Sequence, residues 1–482
     1  MKKLCINISL FFMLLTLSSC NDWLDEVKQT TTVSDEIIWQ DETQVDKYVN
    51  SFYPLLHDYG QFGEAQFYGS FTESLTDAFK YGSYTLGHRA GHPNLYVLTP
   101  DAISPDNCLY SIWLRSTAYK QIRETNQFLS LQRKYSEFSA DRNKLWEAQV
   151  RFFRAFVYFQ LAKRHGGVIL YDDLPVSTNK ARSSAEETWQ FIADDLDFAA
   201  NNLPKEWDAA NKGRITKGAA YALKSRAMLY AKRWQDAYDA ANNVIALKLY
   251  GLTDKYEDAW KGNNKEAILE FDYDAANGPN HLFDRYYVPQ CDGYDNGSTG
   301  TPTQEMVECY ESKNGEKIDR SNSSQLAKGA LPLKYGMDPD MKDGQSGIDV
   351  VIYRYADVLL TLAECINRNE GSPTTEAIGL VNRVRKRAGL SELDDAQTAS
   401  GEAFNEAILL ERGHEFYLEG LRRQDLIRFG KYVEYANNRI DAINKSEGRG
   451  YFNVHEGHNR FWIPQSFIDE SKGAIKQNNY DR

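Results

Sequence analysis

The sequence predicts a mainly α-helical fold, a scaffold of paired helices with long irregular regions set into it. Apolar residues recur three and four apart over about 35–57, 106–248 and 353–429, which is the pattern of helices with one buried face. Over about 60–105, 251–347 and 435–482 that periodicity fails, and in the first two of these regions glycine, asparagine and tyrosine accumulate instead. Small and apolar residues also repeat: Ala237, Ala241 and Val244 follow Tyr221, Ser225 and Met228 at tetratricopeptide-like offsets, and Ala377, Val381 and Val384 repeat them far downstream. About four such pairs, interrupted rather than tandem, make the expected scaffold of one domain from 20 to 482.

Residues 1–19 read as a targeting segment: Met1-Lys2-Lys3, an apolar run from Leu4 to Leu17, then Ser18-Ser19-Cys20. The run is short for a membrane span. Leu17-Ser18-Ser19-Cys20 has the form of a bacterial lipobox, so Cys20 is expected to become the lipidated N-terminus, since more than one acyl chain anchors a soluble domain firmly. A first helical stretch runs from about Asp35 to His57, with Ile37, Ile38, Val45, Tyr48, Val49, Phe52 and Leu55 on one stripe. Helices are then expected at Asp106–Lys134 and Ala140–His165, the latter stopped by Gly166-Gly167, and at Ser184–Asn202, Thr216–Lys232 and Trp234–Lys248. They return at Tyr353–Asn369, Thr374–Ala388 and Glu402–Phe429, and the tail from Tyr435 carries no helix signal.

With 56 basic and 68 acidic residues the net charge is −12, and it is more negative still without Lys2 and Lys3, which argues against a nucleic-acid partner. Hydrophobic residues at 42% and charged residues at 26% exclude collagen-like, low-complexity and polytopic membrane classes. Cys5 and Cys20 belong to the leader, and Cys108, Cys291, Cys309 and Cys365 are too scattered for a disulfide framework, so at most one pair is expected. Tyrosine is in excess, 30 against 23 Phe and 9 Trp, and a phenol suits surfaces that are apolar on one side and wet on the other.

No catalytic constellation stands out. His414-Glu415-Phe416-Tyr417-Leu418 lacks the second histidine of HExxH, and His88/His92 and His455/His458 sit in glycine-rich loops, so no metal site is expected. Glu411, Glu415 and Glu419 lie on one helical face near Arg412, Arg422, Arg423 and Arg428. A carboxylate pair for glycoside cleavage could be drawn there, but bases at i+3 and i+4 make a structural ion-pair network the better reading. The remaining signal is the aromatic loops at 67–96 and 273–296, where tyrosines that can pack on sugar C–H faces alternate with planar donors and acceptors.

Several segments together resemble the SusD/RagB family of nutrient-binding outer-membrane lipoproteins. They are Cys20-Asn21-Asp22-Trp23-Leu24-Asp25, Arg151 to Ala155 through Gly166-Gly167, Asp194-Asp195-Leu196 with Leu203-Pro204, and Gly213-Arg214-Ile215-Thr216. The more specific ones are Tyr353 to Leu360 with Ala363-Glu364, Asn382 to Arg385 with Arg387-Ala388-Gly389, Glu411-Arg412 to Gly430, and Trp462-Ile463-Pro464 with Gln477-Asn478-Asn479-Tyr480. The resemblance implies a non-enzymatic, SusD-like lipoprotein on the cell surface, without a cofactor, that takes up oligomeric nutrients together with a SusC-like TonB-dependent transporter. It also implies that ligands are held by the variable loops, with a glycan the expected ligand, a peptide the alternative and a surface glycoside hydrolase the more distant one. The site is therefore expected where the two irregular segments meet, with Tyr81, Tyr84, Tyr96, Tyr286, Tyr287 and Tyr294 as stacking platforms and Arg89, Asn94, Asp292 and Asn296 as directional partners. Gly413 departs from the family pattern and is expected to loosen its helix, at a cost of up to about 1 kcal/mol.

Overall fold

Side-chain caps and positive-φ glycines set where most of the long helices begin and end. The computed structural model describes residues 35–59, 71–81, 112–113, 117–172, 174, 180–260, 262, 264–274, 277–281, 300–310, 346–447 and 453–478. In chain order the helices are α1 (Asp35–Ile38), α2 (Glu42–Asn50), α3 (Pro54–Asp58), α4 (Phe71–Ser74), α5 (Thr117–Tyr135), α6 (Ala140–His165), α7 (Ala185–Asn202), α8 (Lys217–Tyr230) and α9 (Trp234–Ala246). They continue with α10 (Gln304–Cys309), α11 (Tyr355–Glu370), α12 (Thr375–Arg387), α13 (Gly401–Glu415), α14 (Arg422–Arg428), α15 (Tyr432–Glu447) and α16 (Gln465–Glu470). Four short strands complete the described residues: β1 (Phe79–Tyr81), β2 (Ala267–Phe271), β3 (Gly300–Pro302) and β4 (Val350–Arg354). Ser139, Thr216, Thr374 and Ser400 each accept a first-turn N–H at the start of α6, α8, α12 and α13, and Ser184 with Glu187 forms a reciprocal capping box on α7. Gly166 and Gly371, at φ 76° and 72°, end α6 and α11.

Helices α5 to α9, then α11 and α12, pack each on the next in chain order, with α13 against α11. The core runs through them, and α6 is its axis: Phe152, Phe153, Phe156, Tyr158 and Phe159 are all buried on that one helix. A second, smaller core lies under α13 to α15, built from Leu75, Ala78, Met306, Leu409, Leu418, Leu426, Tyr432, Ala436 and Ile440. Strand β2 pairs antiparallel with β4, and β1 pairs antiparallel with β3.

Four expectations need correction. The stretch 35–57 is three short helices, because the Asp41 side chain caps α2 at Thr43 N–H and Pro54 opens α3. Tyr353 and Arg354 end a strand and do not start a helix. The expected helix 402–429 breaks at 416–421, where Leu418 and Gly420 adopt φ 62° and 72°. The tail is helical after all, in α15 and α16.

The acids and bases of 411–428 do form an ion network, but across elements more than along one helix. Arg354 reaches Glu266 at 2.9 Å and Glu419 at 2.8 Å and also contacts Glu415, which Arg387 contacts in turn. Arg385 pairs with Glu411 at 3.0 Å, Arg412 bridges Asp357 and Asp425 at 3.0 and 2.9 Å, and Arg428 holds Glu364 at 2.7 Å. Only Arg428 with Asp425, at 2.8 Å, has helical spacing. All these side chains are buried, so each charge is set against an opposite one that would otherwise be stranded.

Gly413 also has a different role from the one expected. A Cβ there would lie 2.8 Å from Nη1 of Arg422, whose guanidinium is pinned by Asp77 at 3.0 and 2.7 Å and by the Leu409 carbonyl at 3.1 Å. The missing side chain makes room for that pair. Two outcomes follow for thermal unfolding. Glu415→Ala takes one buried acceptor from both Arg354 and Arg387 and leaves Glu266 and Glu419 to balance them, so it should destabilise by about 1–3 kcal/mol, and an unchanged melting temperature would refute the network's structural role. Gly413→Ala should destabilise by about 1–2 kcal/mol although alanine is the better helix former, because overpacking outweighs propensity.

Candidate ligand site

The two irregular segments spring from one point. In the β1–β3 ladder Tyr81 stands opposite Gly300, so the chain leaves β1 toward 82–100 where 282–299 enters β3. This ladder is fastened to the second core: Thr303 N–H donates to the Ala78 carbonyl at 3.0 Å, the Thr303 hydroxyl donates to the Asp77 carbonyl, and Leu75, Ala78 and Met306 are buried. Of the residues expected to bind ligand, Tyr81 is described only as the last position of β1. Tyr84, Arg89, Asn94, Tyr96, Tyr286, Tyr287, Asp292, Tyr294 and Asn296 lie outside the described residues, as do Cys20, Cys108, Cys291, His88 and His92.

Beside this root lies a cleft of about 220 Å³ between α10, α13 and α15. Leu409, Leu410 and Cys309 give it an apolar side, and Tyr435, Asn438 and Arg439 on α15 face Asp77, Glu305, Glu406 and Arg422. The Arg422 guanidinium forms the two-pronged pair with Asp77 and lies 5.5 Å from the centre of the Tyr435 ring. Arg439 approaches Glu305 at 3.8 Å, and Lys431 holds Glu406 at 3.0 Å. Sequence reasoning passed over the α15 residues because it placed no helix beyond Tyr435. The signal that would have found α15 is the buried four-residue spacing Tyr432, Ala436, Ile440.

Glu73 lies under the cleft's Asp77–Arg422 pair. It is fully buried, one oxygen accepts from the Arg422 N–H at 3.4 Å, and the guanidinium that could neutralise it is taken by Asp77. Burial, with Asp77 nearby, pushes its carboxyl up to about 8, so at neutral pH it is mostly protonated.

Glu411, Glu415 and Glu419 are each engaged by an arginine. Cys309 Sγ lies 3.3 Å from His414 Nε2, but burial pushes the thiol up to about 11, far from a nucleophile's range. Cys309 and Cys365 are both free thiols. His455 and His458 accept backbone N–H groups at a single 3₁₀ turn, Gly457 at 3.3 Å and His455 at 3.1 Å. Among the described residues no group of three histidine, cysteine or carboxylate side chains is placed to hold a metal ion.

Two family models match the chain, one described as the SusD family over residues 335–480 and one as starch-binding associating with outer membrane over residues 22–229. The chain belongs to the SusD/RagB family. A SusD-like protein of Bacteroides ovatus is 27% identical over 385 residues, 64% of this chain and just under two thirds, 65%, of that protein. The starch-binding protein SusD of Bacteroides thetaiotaomicron is 32% identical over 149 residues, 31% of this chain and 23% of that one. Among solved structures, surface glycan-binding protein A of Bacteroides thetaiotaomicron, in complex with laminarihexaose, superposes with a TM-score of 0.71 at 24% identity, over 91% of this chain and 99% of that chain. The SusD/RagB motifs of this chain are, in the structure, mutual partners. Arg154 holds Asp195 at 2.7 Å, Asp357 joins Arg226 to Arg412, and the Gln477 amide meets both backbone groups of Ile463 at 2.8 Å.

The buried Glu73 gives a pH signature. A carboxyl held above its unfolded value contributes stability that is fully present below about pH 4.5 and is lost as the pH rises through about 8. Glu73→Gln, neutral at every pH, should therefore match wild type in melting temperature at pH 5 and exceed it at pH 9. An equal gap at both pH values would contradict the protonated state.

Proposed function

We propose that this chain is a cell-surface lipoprotein, anchored through Cys20 in the outer membrane, that binds oligosaccharides and passes them to a SusC-like TonB-dependent transporter without cleaving them. The observation that carries the reading is the β1–β3 ladder, which roots both tyrosine-rich segments at one point above a rigid core. Tyrosines in two segments that leave one ladder, with Arg89, Asn94, Asp292 and Asn296 interleaved in the sequence, suit a ligand with flat apolar faces and a hydroxyl rim. The family model described as associating with outer membrane, a relative named for starch binding and a fold neighbour solved with laminarihexaose support a glycan as ligand and the outer membrane as location. The consumed carboxylates of α13 support the absence of hydrolysis.

Isothermal titration with oligosaccharides of increasing length tests the site. A ring stacked on sugar should contribute on the order of 1–3 kcal/mol by analogy with stacking on nucleobases, so Tyr96→Ala or Tyr287→Ala should weaken binding tenfold or more. Folded variants that bind as wild type would refute this placement, and release of shorter sugars on overnight incubation would revive the hydrolase. For the anchor, metabolic acyl labelling should disappear in Cys20→Ala. A pull-down from solubilised outer membranes should recover a TonB-dependent partner.

A further inference from the structure

We propose that the cleft on α15 is a subsite for one uncharged sugar ring, a chain end or a branch of the glycan held by the aromatic segments. This rests on the glycan reading above. Its volume of about 220 Å³ is below the roughly 300–1,000 Å³ of pockets that enclose a drug-sized ligand, so it suits a single ring and not an oligomer. Its position suits an extension of a longer site. Asp77 lies two residues before β1 and Glu305 three residues after β3, so the cleft sits beside the ladder from which both segments leave.

The lining has the mixed character that sugar recognition needs. Tyr435 is half-buried, with a ring for the C–H face and a hydroxyl that makes no hydrogen bond among the described residues. Asn438, three residues on along α15, is exposed and its amide likewise has no partner there. Glu305 faces them from α10 with its side chain 47% exposed and can accept from a hydroxyl. A ring, an amide and a carboxylate thus converge with their bonding capacity still open to a ligand.

Charge then sets the class of sugar. Three carboxylates, Asp77, Glu305 and Glu406, each have a cation beside them, and the cations are committed: Arg422 to Asp77 at 2.7 Å, Lys431 to Glu406 at 3.0 Å and Arg439 beside Glu305 at 3.8 Å. A uronate or sulfate entering the cleft would meet the half-exposed carboxylates of Glu305 and Glu406 with the nearby cations already paired to acids, and like-charge approach is penalised. Neutral hydroxyls carry no such cost. The subsite therefore selects neutral sugars against acidic ones.

Titration calorimetry on the full chain tests this with neutral hexasaccharides of glucan, mannan and xylan type and with galacturonate and alginate hexamers. The expected result is binding to at least one neutral hexamer and none, or at least tenfold weaker binding, to the uronates. For the neutral ligand, Tyr435→Ala should lose tenfold or more, and Asn438→Ala, an exposed change that leaves the fold intact, threefold or more. Tyr435→Phe should lose less than Tyr435→Ala. Uronate binding as tight as neutral binding overturns the selectivity, and neutral binding unaltered in both Asn438→Ala and a folded Tyr435→Ala overturns the subsite, each with the glycan reading intact. Failure of every glycan to bind overturns that reading and the subsite with it.

Discussion

The Arg354 guanidinium, buried among Glu266, Glu415 and Glu419, is the contact that holds the α13–α14 turn and, through it, the base of the β1–β3 ladder. It joins the start of β2 to the end of α13 and to the turn that follows. Burying charge costs several kcal/mol per ion, and the cost is offset only when every group has partners in good geometry, so this clamp tolerates few arrangements of the backbone around it. The turn it holds, with Leu418 and Gly420 at positive φ, aims Arg422 back toward Asp77. Asp77 belongs to the segment that becomes β1, and Glu73, four residues earlier, accepts from the Arg422 N–H. A line of charge contacts thus runs from the sheet, through the α13–α14 turn, to the root of the two aromatic segments.

Helix legibility in the sequence follows from where the determining forces are local. Helices α6, α7, α8 and α12 are readable to within about two residues, because a capping side chain and a buried stripe lie in or next to each element, with a positive-φ glycine after α6 and α12. The errors fall where a longer-range contact decides. Residues 402–429 have helical periodicity throughout, but the Arg354 clamp and the Arg422–Asp77 pair hold 416–421 as a turn. Tyr353 and Arg354 could start a helix on pattern alone, yet β2 supplies a ladder for them.

The motifs that made the family legible also conceal the site. Arg154, Asp195, Arg354, Asp357, Glu364, Arg385, Glu411, Glu415 and Arg428 are partners of one another inside the scaffold. That these residues were charged and at helical spacing was visible, but which met which was not, because most pairings join elements far apart in sequence. The cleft residues Tyr435 and Asn438 carry no such motif and lie in a stretch where glutamate, asparagine and arginine dilute the apolar stripe. The fold therefore separates two tasks. Buried ion pairs and the α6 core fix the scaffold, and the two-stranded β1–β3 ladder fixes where the two aromatic segments leave it.

That separation is best tested by hydrogen–deuterium exchange on the full-length protein with and without a bound neutral oligosaccharide. Amide protection should rise in 82–100, 282–299 and 432–440 and stay unchanged along α6 to α9 and around Arg354, since the scaffold is already closed before the ligand arrives. Protection that instead spreads through α6 to α9, with the two aromatic segments unaffected, would contradict it.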